Sequence, residues 1–301
     1  MNKLHISACP LCGGERLYEF LVCKDHYASG ETFSLLECPD CGFRLTQDFP
    51  VETEIGRYYE TPDYISHSDT HKGLMNRVYH WVRGYMLQSK ARLVEQVSRR
   101  KAGRLLDIGT GTGYFPHTLQ QRGWQVDAVE KSSQARAFAQ EHFGLHVQDD
   151  TQVGSYGNRV FDVITMWHVL EHVERQDQEW QILHRQLKDD GTLIIAVPNC
   201  SGADAQRYGA FWAAYDVPRH LWHFTPSTLQ RAAEKHGFQL VERHPMPFDG
   251  FYVSMLSEKY RGNSLYFLKG MWTGFLAWCA ALGNKDRSSS MIYVLRKKIE
   301  R

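Results

Sequence analysis

The stretch Arg104-Leu105-Leu106-Asp107-Ile108-Gly109-Thr110-Gly111-Thr112-Gly113-Tyr114-Phe115 constrains this chain more than any other. Apolar positions run into an acid and then into three glycines on alternate positions, after which a helical pattern extends from Phe115 to Arg122. That order predicts a buried strand, a tight turn and a helix start. Glycine is needed because the backbone must turn through φ values closed to other residues, and because a ligand has to approach the peptide planes closely. A dinucleotide fingerprint reads G-x-G-x-x-G, but here Tyr114 stands at the third glycine position and the glycine comes one residue early, at Gly113. The turn is a ligand cradle in which a pyrophosphate fits poorly.

Downstream the same style continues. Trp124 to Glu130 reads as a strand ending on an acid about twenty residues after the glycines, where a carboxylate can accept both ribose hydroxyls. A third strand, Leu145 to Val147, leads to Asp149 and Asp150; Phe161 to Val173 and Gly191 to Asn199 supply two more apolar runs. Together with D-x-G-x-G-x-G at Asp107–Gly113, these stretches resemble the class I S-adenosylmethionine-dependent methyltransferases over roughly residues 102–200, and the cofactor domain is similar to ubiquinone-type small-molecule methyltransferases. The resemblance implies an α/β fold: a Rossmann-like seven-stranded sheet with helices on both faces, with Phe238 to Glu242 as sixth strand and Met291 to Arg296 as seventh. It implies a cofactor site made from Asp107, Gly109, Thr110, Gly111, Gly113, Phe115, Glu130, Lys131, Asp149, Asp150 and His168. In that site the glycines admit the methionine part, Asp107 lies near its amino group, Glu130 holds the ribose, and Asp149 or Asp150 accepts from the adenine amino group.

Seven cysteines are an odd count, and four are spaced as Cys9-Pro10-Leu11-Cys12 and Cys38-Pro39-Asp40-Cys41, each pair followed by glycine. This is the pattern of a zinc ribbon with a structural, four-thiolate Zn²⁺ site, because about fifty residues have too little core to fold without a clip. Cys23, Cys200 and Cys279 lack partners at useful spacing and are expected to be buried thiols. Some ribosomal RNA methyltransferases carry such a ribbon, but residues 1–50 hold four basic against seven acidic side chains, a balance of −3. Such a module repels phosphates, so a nucleic-acid partner is not expected. The whole chain of 301 residues has a formal charge of +1 and gives no field for steering nucleic acid. Met1 to Pro10 has no apolar core of signal-peptide length, which points to the cytoplasm. The expected organisation is a ribbon at 1–48, a linker and helical cap at 49–101, and a methyltransferase domain at 102–301 with a helical insertion at about 254–286.

Leu74 to Val97 shows a helical stripe of Val78, Trp81, Val82, Tyr85, Leu93, Val94 and Val97. By resemblance Tyr58, Tyr64 and His67 before it are lid residues, although the same aromatics would serve to pack the ribbon on the catalytic domain. His168-Val169-Leu170-Glu171-His172 fits H-x-x-E-H, which would put three polar side chains on one helical face. Its place at a strand end within the methyltransferase order argues against protease chemistry. It leaves a divalent ion assisting a substrate hydroxyl, or His168 bordering the cofactor while Glu171 and His172 orient or deprotonate the substrate. Trp212 to Pro226, with Arg219, His220 and His223 between two prolines, is expected to be a loop facing the substrate.

Residues 265–282 are nearly apolar all round yet too short and too broken by Gly270 and Gly274 to span a membrane, which leaves a packing or dimer helix, or an interfacial helix making peripheral membrane contact. A sulfonium methyl group is already activated, so the protein must align a nucleophile and remove a proton. The candidate bases, in order, are His172, His168, His220 and His67. The expected activity is methyl transfer to a small-molecule acceptor, most simply at oxygen, possible substrates including lipid-like ones; the rival readings are an RNA methyltransferase and a binding module without turnover.

Overall fold

The computed structural model describes residues 2–59 and 74–298. The N-terminal module is built from β1 (Lys3–Leu4), β2 (Tyr18–Lys24), β3 (Thr32–Glu37), β4 (Arg44–Thr46) and β5 (Phe49–Pro50). Each Cys-x-x-Cys loop closes on a glycine in the left-handed region, Gly13 at φ 77° and Gly42 at φ 72°. Their N–H groups donate to the Cys9 and Cys38 carbonyls at 2.8 and 2.7 Å, and no side chain crowds either position.

The larger α/β unit follows as α1 (Leu74–Ser98), β6 (Arg104–Ile108), α2 (Tyr114–Gln121), β7 (Gln125–Val129), α3 (Ser133–Phe143), β8 (Val147–Gln148), β9 (Phe161–Trp167), α4 (Gln176–Gln186) and β10 (Leu187–Pro198). Then come α5 (Ala203–Tyr208), β11 (Trp222–His223), α6 (Pro226–Lys235), β12 (Phe238–Pro245), α7 (Asp249–Tyr260), α8 (Tyr266–Gly283) and β13 (Ser290–Lys297). Seven strands form one sheet in the order β12-β13-β10-β9-β6-β7-β8, with β13 antiparallel to both neighbours and β6 to β10 parallel.

Both faces of this sheet are covered, which is why its strands read as apolar runs. Leu106, Ile108, Ile164, Met166, Leu193 and Ile195 face one core with Trp180 and Leu183 of α4. Leu105, Val163, Ile194 and Ala196 face the other, with Ala91, Val94 and Val97 of α1 and Leu119 of α2. Of the predicted stripe on α1, Val94 and Val97 are buried, but Tyr85 is exposed and packs edge-on against Phe248, while Val78 and Trp81 lie outside the described side chains.

The N-terminal module is stitched into the rest of the chain. β11 pairs with β4 as a fourth strand of its sheet, and Phe43, Leu45, Phe49, Trp222 and Phe224 belong to the same core as the strand residues Leu106 and Ile164. Trp222 and His223 are thus strand residues and not a substrate-facing loop, because their backbone pairs with Leu45 and Arg44 of β4. The predicted insertion is a helical hairpin of α7 and α8 that starts earlier than expected, at Asp249. Cys23 and Cys200 are buried as expected, but Cys279 is exposed, since the small residues of α8 and not its large ones face inward.

Candidate functional site

β6 and β9 are neighbours in the sheet, and the chain leaves their carboxyl ends toward opposite edges, which opens a crevice at that point. The glycine turn follows β6, and Gly109, Gly111 and Gly113 adopt φ of 69°, 56° and 85°. Each is glycine for a second reason. A Cβ at Gly109 would lie 2.4 Å from Val169 Cγ2, and one at Gly113 would lie 2.8 Å from Ala139 Cβ, whereas nothing stands within 4 Å of a Cβ at Gly111. Gly109 and Gly113 serve packing, and Gly111 keeps an open approach to the backbone.

Around the turn, Asp107 is buried and accepts from Thr110 Oγ1 at 2.7 Å and from Thr165 Oγ1 at 2.6 Å. Burial pushes its carboxyl up to about 6 against the pull of those hydroxyls and of Lys90. Glu130, one residue beyond β7, accepts from the N–H groups of Gly111 at 2.8 Å and Ser132 at 2.9 Å, so its carboxylate is held at the mouth of the turn. Phe115 lies edge-on to Trp167, with ring centroids 5.4 Å apart. Lys131 is drawn away to Glu52 at 3.1 Å on the surface. Asp149 caps the following turn through Thr151 and pairs with Arg136 at 3.0 Å, while the carboxyl of Asp150 is raised by burial.

One charged side chain at this crevice carried no sequence signal. Lys90 of α1 sits over the Trp167 ring with its ammonium 4.3 Å from the centroid, and burial lowers its pKa against the opposing charges of Asp249 and Asp107. No motif marks it, because it reaches the crevice from a helix that precedes the glycine turn in sequence.

The H-x-x-E-H stretch departs from its predicted helical face. His168 takes a left-handed conformation, φ 59°, and only Leu170–His172 form a short 3₁₀ turn. The side chains consequently split into two groups. His168 Nε2 meets Asp249 at 3.1 Å and its Nδ1 lies 3.4 Å from Glu171. Burial alone would depress this imidazole, but the two carboxylates outweigh it and hold its pKa up to about 9, so it is charged at neutral pH. His172 turns the other way. Its Nδ1 lies 3.0 Å from the Arg219 carbonyl and 3.1 Å from the Tyr59 hydroxyl, and its ring meets His220 edge-on at 4.6 Å. Since a carbonyl only accepts, Nδ1 carries the proton and Nε2 keeps its lone pair. Burial and the neighbouring His220 push His172 down to about 4.

His220 is anchored in the same way, with Nδ1 donating to the Ala214 carbonyl at 2.8 Å. Ligand atoms of Glu171, His172 and His220 all lie within 4.8 Å of one another. Glu171 is 1% exposed, and beyond the His168 ion pair at 3.4 Å its carboxylate oxygens accept no hydrogen bond. Two imidazoles oriented by backbone carbonyls and a buried carboxylate form a donor set that suits a divalent cation. His223 is not part of it, being buried against Thr46 Oγ1 at 3.0 Å. Tyr58 is fully buried against Phe33 and hydrogen-bonds Glu31, which makes it a packing residue, whereas Tyr64 and His67 lie outside the described residues.

At the far end of the N-terminal module, the Sγ atoms of Cys9, Cys12, Cys38 and Cys41 lie within 4.8 Å of one another, with Cys9–Cys41 at 3.5 Å and Cys12–Cys38 at 3.6 Å. A disulfide would need about 2.05 Å. A tetrahedral zinc–thiolate site has S···S edges of about 3.8 Å, and the observed spacing fits that geometry.

A seven-stranded sheet with one antiparallel strand, a glycine turn at its switch point and an acid closing the second strand define the class I S-adenosylmethionine-dependent methyltransferases. A family model described as a methyltransferase domain matches residues 78–243, more than half of the chain, and the chain belongs to that family. An uncharacterized methyltransferase of Staphylococcus carnosus is 32% identical over 106 residues, covering 34% of this chain and 51% of the relative. A ubiquinone biosynthesis O-methyltransferase of Azoarcus is 26% identical over 160 residues, 48% of this chain and 68% of the relative. Among solved structures, Burkholderia thailandensis 1,6-didemethyltoxoflavin-N1-methyltransferase, with its substrate and S-adenosylhomocysteine bound, superposes with a TM-score of 0.52 at 15% identity, covering 92% of this chain and all of that one. The chain spans about half to three fifths of the length of the first curated relatives it matches.

Proposed function

We propose that this chain transfers the methyl group of S-adenosylmethionine to an oxygen atom of a small molecule in the cytoplasm. The observation that carries the reading is the mouth of the glycine turn. There an open Gly111 backbone, the Glu130 carboxylate and the buried Asp107 meet at the carboxyl ends of β6 and β7, beside the His168 loop. Glu130 offers its remaining lone pairs to the ribose hydroxyls, Asp107 and Thr110 face the methionine amino group, and Lys90 supplies a cation for the methionine carboxylate.

His172 is the base. It is neutral at every pH above about 4, whereas His168 is held as a cation by Asp249 and Glu171 and orients rather than deprotonates. So weak a base suits an acceptor whose own hydroxyl is acidic, a phenol or enol in preference to an alcohol. The test is release of S-adenosylhomocysteine against phenols, enols, alcohols and RNA. Phenol-dependent release that falls by about 10²–10⁴ in His172→Gln supports the reading. Release only with RNA favours the RNA reading, and cofactor binding with no release from any acceptor favours a binding module.

A second reading is carried by the buried Glu171 carboxylate, which accepts no hydrogen bond beyond its His168 ion pair: a divalent cation among Glu171, His172 and His220 that would lower the pKa of an acceptor hydroxyl. The four cysteines are read as a structural Zn²⁺ site. Metal analysis separates the two, since one equivalent that survives Glu171→Gln belongs to the cysteines, and a second equivalent lost in that variant belongs to the histidine group.

A further inference from the structure

The α7–α8 hairpin lies beyond the matched family region, which ends at residue 243. α8 reverses the usual arrangement of a surface helix. Its buried face is Gly270, Thr273, Gly274, Ala277 and Ala281, and its large apolar side chains point outward. Leu268 is 64% exposed, Trp272 60% and Leu282 69%, with Met271, Phe275 and Leu276 also open to solvent. Rolling the helix inward would not cure this. A Cβ at Gly270 would stand 2.5 Å from Met255 Cα, and one at Gly274 would stand 2.6 Å from Phe251 Cα, so the two backbones are in contact along the small face and admit nothing larger. The outward display of apolar side chains is fixed by the packing of the pair.

The charges around this face indicate what covers it. Between residues 249 and 287 the cations are Lys259, Arg261, Lys269, Lys285 and Arg287, all exposed, against the acids Asp249, Glu258 and Asp286, a balance of +2 in a chain of +1. Asp249 is taken up by His168 at 3.1 Å, Glu258 is buried on Tyr208 and Asn263, and Asp286 pairs with Arg243 at 3.2 Å, so none of the three offsets the rim. A second copy of the chain docked here about a two-fold axis would set one cationic rim against another. A bilayer with anionic headgroups would accept both the apolar face and the rim. No described helix is long and apolar enough to cross a membrane.

We propose that α8 lies in the interface of an anionic membrane and seats the protein on the lipid surface, with Trp272 and Phe275 at headgroup depth and the lysines above them. The hairpin is also joined to the site, because Asp249 at the start of α7 holds His168 at 3.1 Å. The proposal concerns a binding surface and stands whether or not oxygen is the acceptor atom.

The test uses the full chain in flotation with phosphatidylcholine vesicles, with and without phosphatidylglycerol, alongside sedimentation without lipid. Flotation with the phosphatidylglycerol vesicles and a blue shift of tryptophan emission are expected. Leu268→Glu combined with Trp272→Glu should lower the partition coefficient at least about tenfold while S-adenosylhomocysteine affinity stays unchanged. Lys269→Glu with Lys285→Glu should weaken binding several-fold, most clearly at low salt. Absence of vesicle binding by the wild-type chain overturns the proposal. So does a stable dimer that the Leu268→Glu/Trp272→Glu variant converts to a monomer, or flotation of that variant equal to wild type.

Discussion

Gly111 and Gly113 are two residues apart in one turn, both left-handed, and replacing each by alanine should do different things. An L-residue in the left-handed region costs about 1–2 kcal/mol, and at Gly111 that is the whole cost, since nothing lies within 4 Å of the added methyl. At Gly113 the methyl would stand 2.8 Å from Ala139 Cβ and 3.0 Å from Leu145 Cδ1 in a packed cluster, which adds overpacking of about 1–3 kcal/mol. For a domain of this size about 1 kcal/mol corresponds to 2–4 °C in melting temperature, so Gly113→Ala should melt about 2–12 °C below Gly111→Ala. Affinity should run the other way. The methyl of Gly111→Ala occupies the open approach beside Glu130 and should weaken S-adenosylhomocysteine binding by at least about tenfold, or 1.4 kcal/mol, whereas the methyl at Gly113 points into α3 and should leave binding near wild type. Scanning calorimetry and titration calorimetry on the same preparations decide it. Wild-type affinity in Gly111→Ala would refute the reasoning, because then the open backbone is not where the ligand lies.

His168 is raised from 6.5 to about 9 by Asp249 and Glu171, so its contribution to stability is complete below pH 6.5 and is lost as pH rises through 9. Urea midpoints should decline over that window in the wild type, and the decline should flatten in Asp249→Asn. Cys38→Ser should lose the zinc equivalent and the cooperative unfolding of the N-terminal module, read by metal analysis and by urea titration of tryptophan emission. Arg219 is 4% exposed and pairs with the fully buried Asp25 at 3.0 Å, and its replacement by methionine should cost about 3–5 kcal/mol in urea unfolding, because a buried carboxylate loses its cation.

The glycine turn and the strand that ends at Glu130 could be read from the sequence because each is local, a strand, a turn and an acid at fixed spacing, whereas the seven-stranded sheet came from the family resemblance. What could not be read depends on contacts between distant segments. Lys90 reaches Trp167 from a helix whose apolar stripe says nothing about its polar side, and Asp249 meets His168 across more than eighty residues of chain. The H-x-x-E-H spacing predicted a helical face, but Val169 must lie against Gly109, and that contact turns His168 left-handed and sends its ring away from His172. The Cys-x-x-Cys pairs showed a ribbon without showing that its sheet takes its fourth strand from residues 222–223.

That borrowed strand changes what the N-terminal module is for. The Leu221 N–H donates to the Glu171 carbonyl at 2.8 Å, and the Thr46 N–H donates to the Leu221 carbonyl at 2.9 Å, so one residue is bonded through its N–H to the H-x-x-E-H turn and through its carbonyl to the ribbon. Thr46 Oγ1 donates to the His220 carbonyl at 2.7 Å, Arg219 donates to the Tyr58 carbonyl at 2.9 Å, and Tyr59 meets His172. These contacts tie His172 and the 219–221 segment to residues that precede the seven-stranded sheet. Loosening the four-cysteine end should free Thr46 and the His220 and Leu221 carbonyls it holds, next to the Arg219 carbonyl that sets the His172 tautomer. The N-terminal module is in this sense the back wall of the histidine group, joined to it through backbone hydrogen bonds.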